Sequence, residues 1–304
     1  MGILYAFFAA VLAATSNLLL RRSIDKGGSS RGYLVVQLSF SFLFMILLNP
    51  IRTMDLAPNL PSILLGLFGG LLLGGVMWSL GKSLEVGPPG LSLAIINTSS
   101  IMPAIMLVIL FGAEYGHGYT IMNGCGSLLV VLGILWAGWT RDGNTNRKVW
   151  LIFVSAVFIF HTIYLVYLQW WAMVLSPDLP ISRFLPFHME PVHIAWFMPA
   201  IFFSAAIVQW MVYWSRESNW PKREEITYGL IGGVVNGMCA FFLILAPQVA
   251  ETWENAMLFP IFSVGVILMC NLWAKLLYKE KVNWFANAIC VSGLLVGTVA
   301  WNLI

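Results

Sequence analysis

Apolar residues run along this chain in long stretches, without the alternation of a half-buried strand or the single stripe of a soluble amphipathic helix. A helix that crosses a bilayer needs about 20 consecutive, mostly apolar residues. Ten stretches approach or exceed that length: 2–20, 32–49, 60–82, 89–112, 118–139, 149–174, 192–214, 226–246, 250–278 and 283–303. Between them lie short clusters that do not continue a helix cheaply. Gly27-Gly28-Ser29-Ser30 breaks spans 1 and 2, Asn49-Pro50 ends span 2, and Gly87-Pro88-Pro89-Gly90 divides spans 3 and 4. Arg141-Asp142-Gly143-Asn144 divides spans 5 and 6, and Asn219-Trp220-Pro221-Lys222 precedes span 8. The longest connection, 175–191, holds Pro177, Pro180, Pro186 and Pro191 and is too broken to be a span. The pattern predicts an all-α polytopic membrane protein with ten transmembrane helices.

Composition agrees. The 304 residues are 60% hydrophobic and 10% charged, and the mean hydropathy is +0.85. A soluble domain carries about 25% charged residues, so too little polar surface is present to cover a water-soluble fold. A net charge of +3, spread over many short loops, argues against nucleic-acid binding as the main task. The 4 cysteines, Cys125, Cys239, Cys270 and Cys290, lie in apolar runs and read as free thiols packed as small hydrophobes. The first apolar stretch has no basic segment before it and is long enough to span, so it does not read as a cleavable signal.

The charges sort by side. Loops after odd-numbered spans hold 14 Lys and Arg, and loops after even-numbered spans hold only Arg52 and Arg183. The positive-inside rule then puts the odd loops in the cytoplasm and both termini outside, in a multi-pass protein of the cell membrane.

The two halves, 1–140 and 149–304, resemble each other. Gly74-Gly75-Val76-Met77-Trp78 aligns with Gly232-Gly233-Val234-Val235-Asn236, Pro89 with Pro247, and Pro103 with Pro260. The stretch from Gly126 to Gly133 aligns with Ala286 to Gly293, and Glu114 and Glu280 each precede the last span of a half. Five helices per half is an odd number, so the second half enters the membrane from the opposite side. Inverted repeats of this kind underlie many secondary transporters, with a midplane site between the halves.

On these residues the chain resembles the drug/metabolite transporter superfamily, whose ten helices form two EamA-like halves. The resemblance rests on Pro103 and Pro260, on Glu114 and Glu280, and on the small residues after each. The stretch Leu73-Gly74-Gly75 through Gly87-Pro88-Pro89-Gly90 is similar to the rhamnose and glucose/ribose porter branch. The resemblance implies transport of a small metabolite, sugar-like in the porter branch. The outside termini depart from the family's usual orientation.

Polar groups within spans are expensive unless they face the bundle interior, and they are the functional candidates. Glu254 lies six residues before Pro260, as Asn97 lies six before Pro103. In that register both converge on one central cavity, and an acid there binds a substrate or exchanges a proton. Asn97, Thr98, Ser99 and Ser100 follow one another, and Pro103 removes the amide that would bond the Ser99 carbonyl. Trp78 and Asn236 are partners in the aligned repeat. Ser16, Asn17, Gln37 and Gln209 complete the candidate substrate-binding set, each with interhelical packing as the alternative. His161, Glu251 and Glu254 are the candidate proton-coupling groups, and Pro103 and Pro260 the candidate flexing points. Tyr164, Tyr167, Trp170 and Trp171 read as an interfacial aromatic belt. His188, Glu190 and His193 fit no strong metal template, so neither metal nor cofactor is expected.

The expected function is secondary active transport of a small polar solute, sugar-like first, by alternating access, with protons as the candidate driving ion. Export of amino acids or of cationic, drug-like compounds is the direct alternative. No GxxxxGK[ST], H-E-x-x-H or G-x-S-x-G occurs, so ATP use and enzymatic activity are not expected. Partners are a small-molecule substrate and the bilayer, with no nucleic acid and no oligomer predicted.

Overall fold

A computed structural model describes residues 1–87, 89–111, 120–138, 147–174, 194–251, 254, 257–279 and 283–298. These residues form α1 (Gly2–Asp25), α2 (Ser30–Ile46), α3 (Leu60–Val86), α4 (Pro89–Thr98), α5 (Met102–Phe111), α6 (Ile121–Gly138), α7 (Arg147–Val174), α8 (Phe197–Trp214), α9 (Arg223–Gln248), α10 (Leu258–Tyr278) and α11 (Trp284–Thr298). No strand occurs among the described residues. Seven helices are long and apolar enough to cross a membrane: α1, α2 with its continuation, α3, α7, α8, α9 and α10. α6 and α11 are shorter apolar helices, and α4 runs through a 3₁₀ turn, Ser99–Ile101, into α5.

Three boundaries differ from the expectation, each for a local reason. α1 continues through Arg21 and Arg22 to Asp25, because cations are favoured in a last turn and long side chains reach water from it. Asn49-Pro50 does not end α2, since a π-helical turn over Leu47–Ile51 absorbs the proline. A π turn widens the ladder where the ring would otherwise meet the preceding carbonyl. The ninth span was expected from residue 250, but α10 begins at Leu258. Glu254 belongs to a turn ahead of it, with its amide on the Glu251 carbonyl at 2.9 Å.

α1 packs on α9 and α10, α2 on α8 and α9, α3 on α7 and α8, and α6 on α11. α4 and α5 lie against α7, and α4 also meets α6. Lipid tails are as apolar as leucine, so these contacts depend on close packing. Glycines supply it: Gly66, Gly70 and Gly74 of α3 face α8, Gly229, Gly233 and Gly237 of α9 face α2, and Gly126 meets Gly293 and Gly297. The aromatic residues late in α7 are not a surface belt. Trp171 is fully buried and stacks on Phe197 with centroids 4.2 Å apart, and Tyr167 Oη donates to the Leu65 carbonyl at 2.7 Å.

Alternate helix ends gather at one side. There Tyr278 Oη donates to Asp25 at 2.8 Å, Arg31 meets Glu217 at 3.7 Å, and the Glu225 carboxylate accepts the Ser29 and Lys222 amides at 2.5 and 2.6 Å. Arg52 lies past the other end of α2, over the Phe241 ring late in α9.

Candidate functional site

A cavity of about 200 Å³ lies inside the bundle, walled by α1, α2, α3, α4, α7, α9 and α10, with Phe202 of α8. Six sequence candidates line it: Ser16, Asn17, Gln37, Asn97, His161 and Asn236. Among the described residues, no Asp, Glu, Lys or Arg does. The cavity reaches toward the basic side at Leu20, Ser30, Leu80 and Gly81, where Asn17 is exposed.

Helical spacing sets the polar wall of α2. Tyr33, Gln37 and Ser41 are one turn apart on one face. Tyr33 Oη donates to the Ser16 carbonyl at 3.0 Å, and Gln37 Nε2 donates to Ser16 Oγ at 2.6 Å. Ser41 Oγ donates to the Gly233 carbonyl at 2.9 Å and accepts from Asn236 Nδ2 at 3.2 Å. Across the cavity, Ser99 Oγ donates to the Ile96 carbonyl at 2.6 Å. His161 Nδ1 lies 2.5 Å from Ser99 Oγ and 3.1 Å from the Ile96 carbonyl.

The proline reading changes. Pro103 is the second residue of α5, and the Ser99 carbonyl accepts the Met102 amide instead, so no freed carbonyl forms a cradle. Pro260 is the third residue of α10. Pro260 occupies a first turn, where the missing amide has no helical partner to lose. Pro103 instead follows the 3₁₀ turn in the middle of the continuous α4–α5 rod.

Glu254 is not in the cavity. Its carboxylate sits over the N-terminus of α1, accepting the Met1 amino group at 3.2 Å, the Gly2 and Ile3 amides at 3.4 Å each, and the Glu251 amide at 2.9 Å. Burial pushes its pKa up, but the Glu251 amide, the chain's amino group and the Ile3 amide outweigh that and hold the carboxyl below its ordinary value. Acceptance of orphan helix amides accounts for its burial. Glu251 is exposed. Thr98 does not line the cavity, and Gln209 ties α8 to α3 through the Gly74 carbonyl at 3.3 Å. Trp78 is 40% exposed on the outer surface, edge-on to Phe153. The structure therefore brings Asn97, His161 and Asn236 to one cavity and leaves Glu254 and Trp78 outside it.

Glu114, Thr252, Glu280, His188, Glu190 and His193 lie outside the described residues. No group that could hold a metal ion occurs among the described residues. Sequence reasoning missed Tyr33, Ser30, Tyr164 and Cys239, which also line the cavity. The signal for Tyr33 was its place one turn before Gln37.

These features define a polytopic helical membrane protein with a largely apolar cavity into which Ser16, Gln37, Asn97, His161 and Asn236 are set. No family model matches the sequence, and no curated protein matches it. A solved structure described only as "Crystal structure of protein" superposes with a TM-score of 0.74 over 99% of this chain and 98% of that one, at 15% identity. At that identity the similarity is one of fold alone.

Proposed function

We propose that the chain is a secondary transporter that moves a small, neutral, polar solute, sugar-like in chemistry, by alternating access. The observation that carries this reading is the cavity, where amides, hydroxyls and an imidazole from both halves converge within a largely apolar lining and, among the described residues, no charged side chain is present. A phosphorylated solute would need cationic partners. A cationic or zwitterionic solute would lose its hydration without gaining a counter-charge. A polyhydroxyl solute exchanges water for such groups at little cost.

The packing supports two inverted halves. With α4, its 3₁₀ turn and α5 counted as one rod, the described residues form ten rods. Exchanging each rod with the one five places along carries α1–α9 onto α7–α3, α2–α9 onto α8–α3, and α6–α11 onto itself. The correspondence extends to single contacts. Gly66 meets the Phe197 carbonyl and Ala200 as Gly229 meets the Tyr33 carbonyl and Val36. Gly70 meets the Ile201 carbonyl and Ser204 as Gly233 meets the Gln37 carbonyl and Phe40. Gly74 meets Val208 as Gly237 meets Phe44. The glycines are offset by 163 residues and their partners by 164. Ser100 and Ser263, also 163 apart, touch through their hydroxyls, as a pair on the pseudo-two-fold axis would. This register pairs Asn97 with Pro260, replacing the sequence alignment that paired it with Glu254. Such a repeat, with its site between the halves, is a transporter architecture and is similar to that of the drug/metabolite transporter superfamily.

The test is flux into liposomes containing the purified protein, measured with labelled glucose, ribose and sorbitol beside amino acids and quaternary amines. Saturable flux of a neutral probe, lost in Asn97→Leu, supports the reading. Flux confined to amino acids or amines overturns it. Of the three groups considered for proton coupling, His161 alone lines the cavity, so a proton-driven component is expected to survive Glu254→Gln.

A further inference from the structure

Two polar groups on opposite walls of the cavity have their orientation fixed by the protein, and both end with an acceptor unspent. The first is His161. The Ser99 hydroxyl proton lies on the Ile96 carbonyl, 2.6 Å away, so Ser99 Oγ is left to accept. The Ile96 carbonyl, 3.1 Å from His161 Nδ1, can only accept. Both neighbours of Nδ1 therefore require a proton on it, which assigns the ring tautomer from its partners. Among the described residues no carboxylate lines the cavity to hold an imidazolium, so the ring is assigned as neutral, with a lone pair on Nε2. No described residue bonds Nε2. The second is Asn236. The Ser41 hydroxyl proton lies on the Gly233 carbonyl at 2.9 Å, so Ser41 Oγ can only accept from Asn236, at 3.2 Å. That bond needs the amide nitrogen, which turns Oδ1 the other way.

We propose that His161 Nε2 and Asn236 Oδ1 are the specificity-determining groups of the cavity: two fixed acceptors that select a neutral solute by the hydroxyl protons it donates. Ser99 and Ser41 are positioning residues that act through them. The proposal rests on the transporter reading and specifies its substrate chemistry as polyhydroxyl. A site that requires a donor rejects an analogue lacking it, because the buried acceptor is then left unpaired.

The test has two arms. In the first, the protein is labelled with ¹⁵N-histidine, and the His161 signals are assigned by their loss in His161→Phe. A protonated Nδ1 and a bare Nε2 at neutral pH are expected, and a bare Nδ1 overturns the proposal whatever the protein transports. In the second, thermal shift and counterflow compare glucose, ribose and sorbitol with their monodeoxy and monodeoxyfluoro analogues. Fluorine cannot donate, so at a hydroxyl read by these acceptors both replacements weaken binding equally, by about tenfold. Ser41→Ala frees the Asn236 amide to turn, and discrimination against the fluoro analogue falls by a larger factor than affinity for the parent does. Retention of the fluoro analogues at every position means the cavity reads acceptors, and overturns the proposal while leaving the transporter reading intact. A panel in which no polyhydroxyl probe binds overturns both.

Discussion

The contacts of α3 with α8 and of α2 with α9 share one backbone geometry and differ in what the side chains do. On both, three glycines one turn apart let a neighbouring helix approach to its own carbonyls. On α3 and α8 the side chains beside the glycines, Ala200, Ile201, Ser204 and Val208, pack, and Gln209 adds a bond to the Gly74 carbonyl. On α2 and α9 the corresponding stretch carries Tyr33, Gln37 and Asn236, which line the cavity, and Ser41, which bonds Asn236 and the Gly233 carbonyl behind it. On the proposed reading of two inverted halves, one copy of the contact is scaffold and the other is scaffold and binding wall together, so a repeat of this kind keeps its packing in both halves while holding its chemistry in one.

The largest expected effects break the shared part. A Cβ on Gly70 would meet the Ile201 carbonyl, and one on Gly233 would meet the Gln37 carbonyl at 2.8 Å. Backbone cannot yield as a flexible side chain can, and overpacking costs about 1–3 kcal/mol. Gly70→Ala and Gly233→Ala should each lower Tm in detergent, Gly70→Ala more because its approach is closer. An unchanged Tm in both would mean that the helices slide apart freely and that the contact does not hold the fold.

Glu254 sharpens the comparison from outside both contacts. As a cap on α1, it is expected to matter for stability and not for flux. Glu254→Gln leaves the α1 amides with a neutral acceptor and should cost about 1.5–3 kcal/mol, the range for hydrogen bonds to a charged group. The sign with pH follows from the lowered pKa. The folded carboxyl binds a proton less readily than the unfolded one, whose pKa is about 4.3. The stabilisation is complete above that value and is lost as pH falls through the folded pKa. An acid melting series should show this slope in the native protein and a shallower one in Glu254→Gln. Equal slopes would remove the carboxylate from the account.

A smaller pair of effects separates scaffold from wall directly. Ser204→Ala, on the α8 face against Gly70, should cost less than about 1 kcal/mol of stability, a small shift in Tm, and leave flux intact. Gln37→Leu, on the α2 face, should lower flux severalfold while Tm moves as little, since it removes one bond to Ser16 and one polar group of the cavity. Loss of flux in the first, or full flux in the second, would reverse the assignment of the two faces.

Much of the fold was legible because it is dictated by hydropathy and helix-breaking clusters, which act locally. The polar residues of α1, α2, α4, α7 and α9 were legible for the same reason: an amide within an apolar run needs a partner, and Asn97, His161, Asn236, Gln37, Ser16 and Asn17 do meet at the cavity. The register between the halves was not legible. Matching prolines drew Pro103 onto Pro260, whereas the register is carried by glycine spacing, which has meaning only when the opposing helix is known. Glu254 was misread for a related reason. Its partners are backbone amides at the start of α1, some 250 residues away in sequence, and no residue type marks an amide as waiting for a carboxylate.

The smallest expected effect concerns Trp78, the candidate whose chemistry looked suited to a sugar face. Its ring stands on the outer surface, edge-on to Phe153 with centroids 5.7 Å apart, in the company of other side chains that face lipid. Replacing it by leucine keeps an apolar surface against the acyl chains and loses an aromatic pair contact of about 0.5–1.5 kcal/mol. Val76 and Met77, two and one residues earlier on α3, line the cavity; at 100° per residue the helix turns Trp78 away from the face they share. Trp78→Leu should therefore leave both the flux and the fluoro-analogue discrimination of the native protein, with a Tm shift near the limit of detection. A fall in flux comparable to that of Gln37→Leu would mean that α3 rotates during transport and brings its outer face to the solute, and the separation of scaffold from wall would then hold for one conformation and not for the cycle.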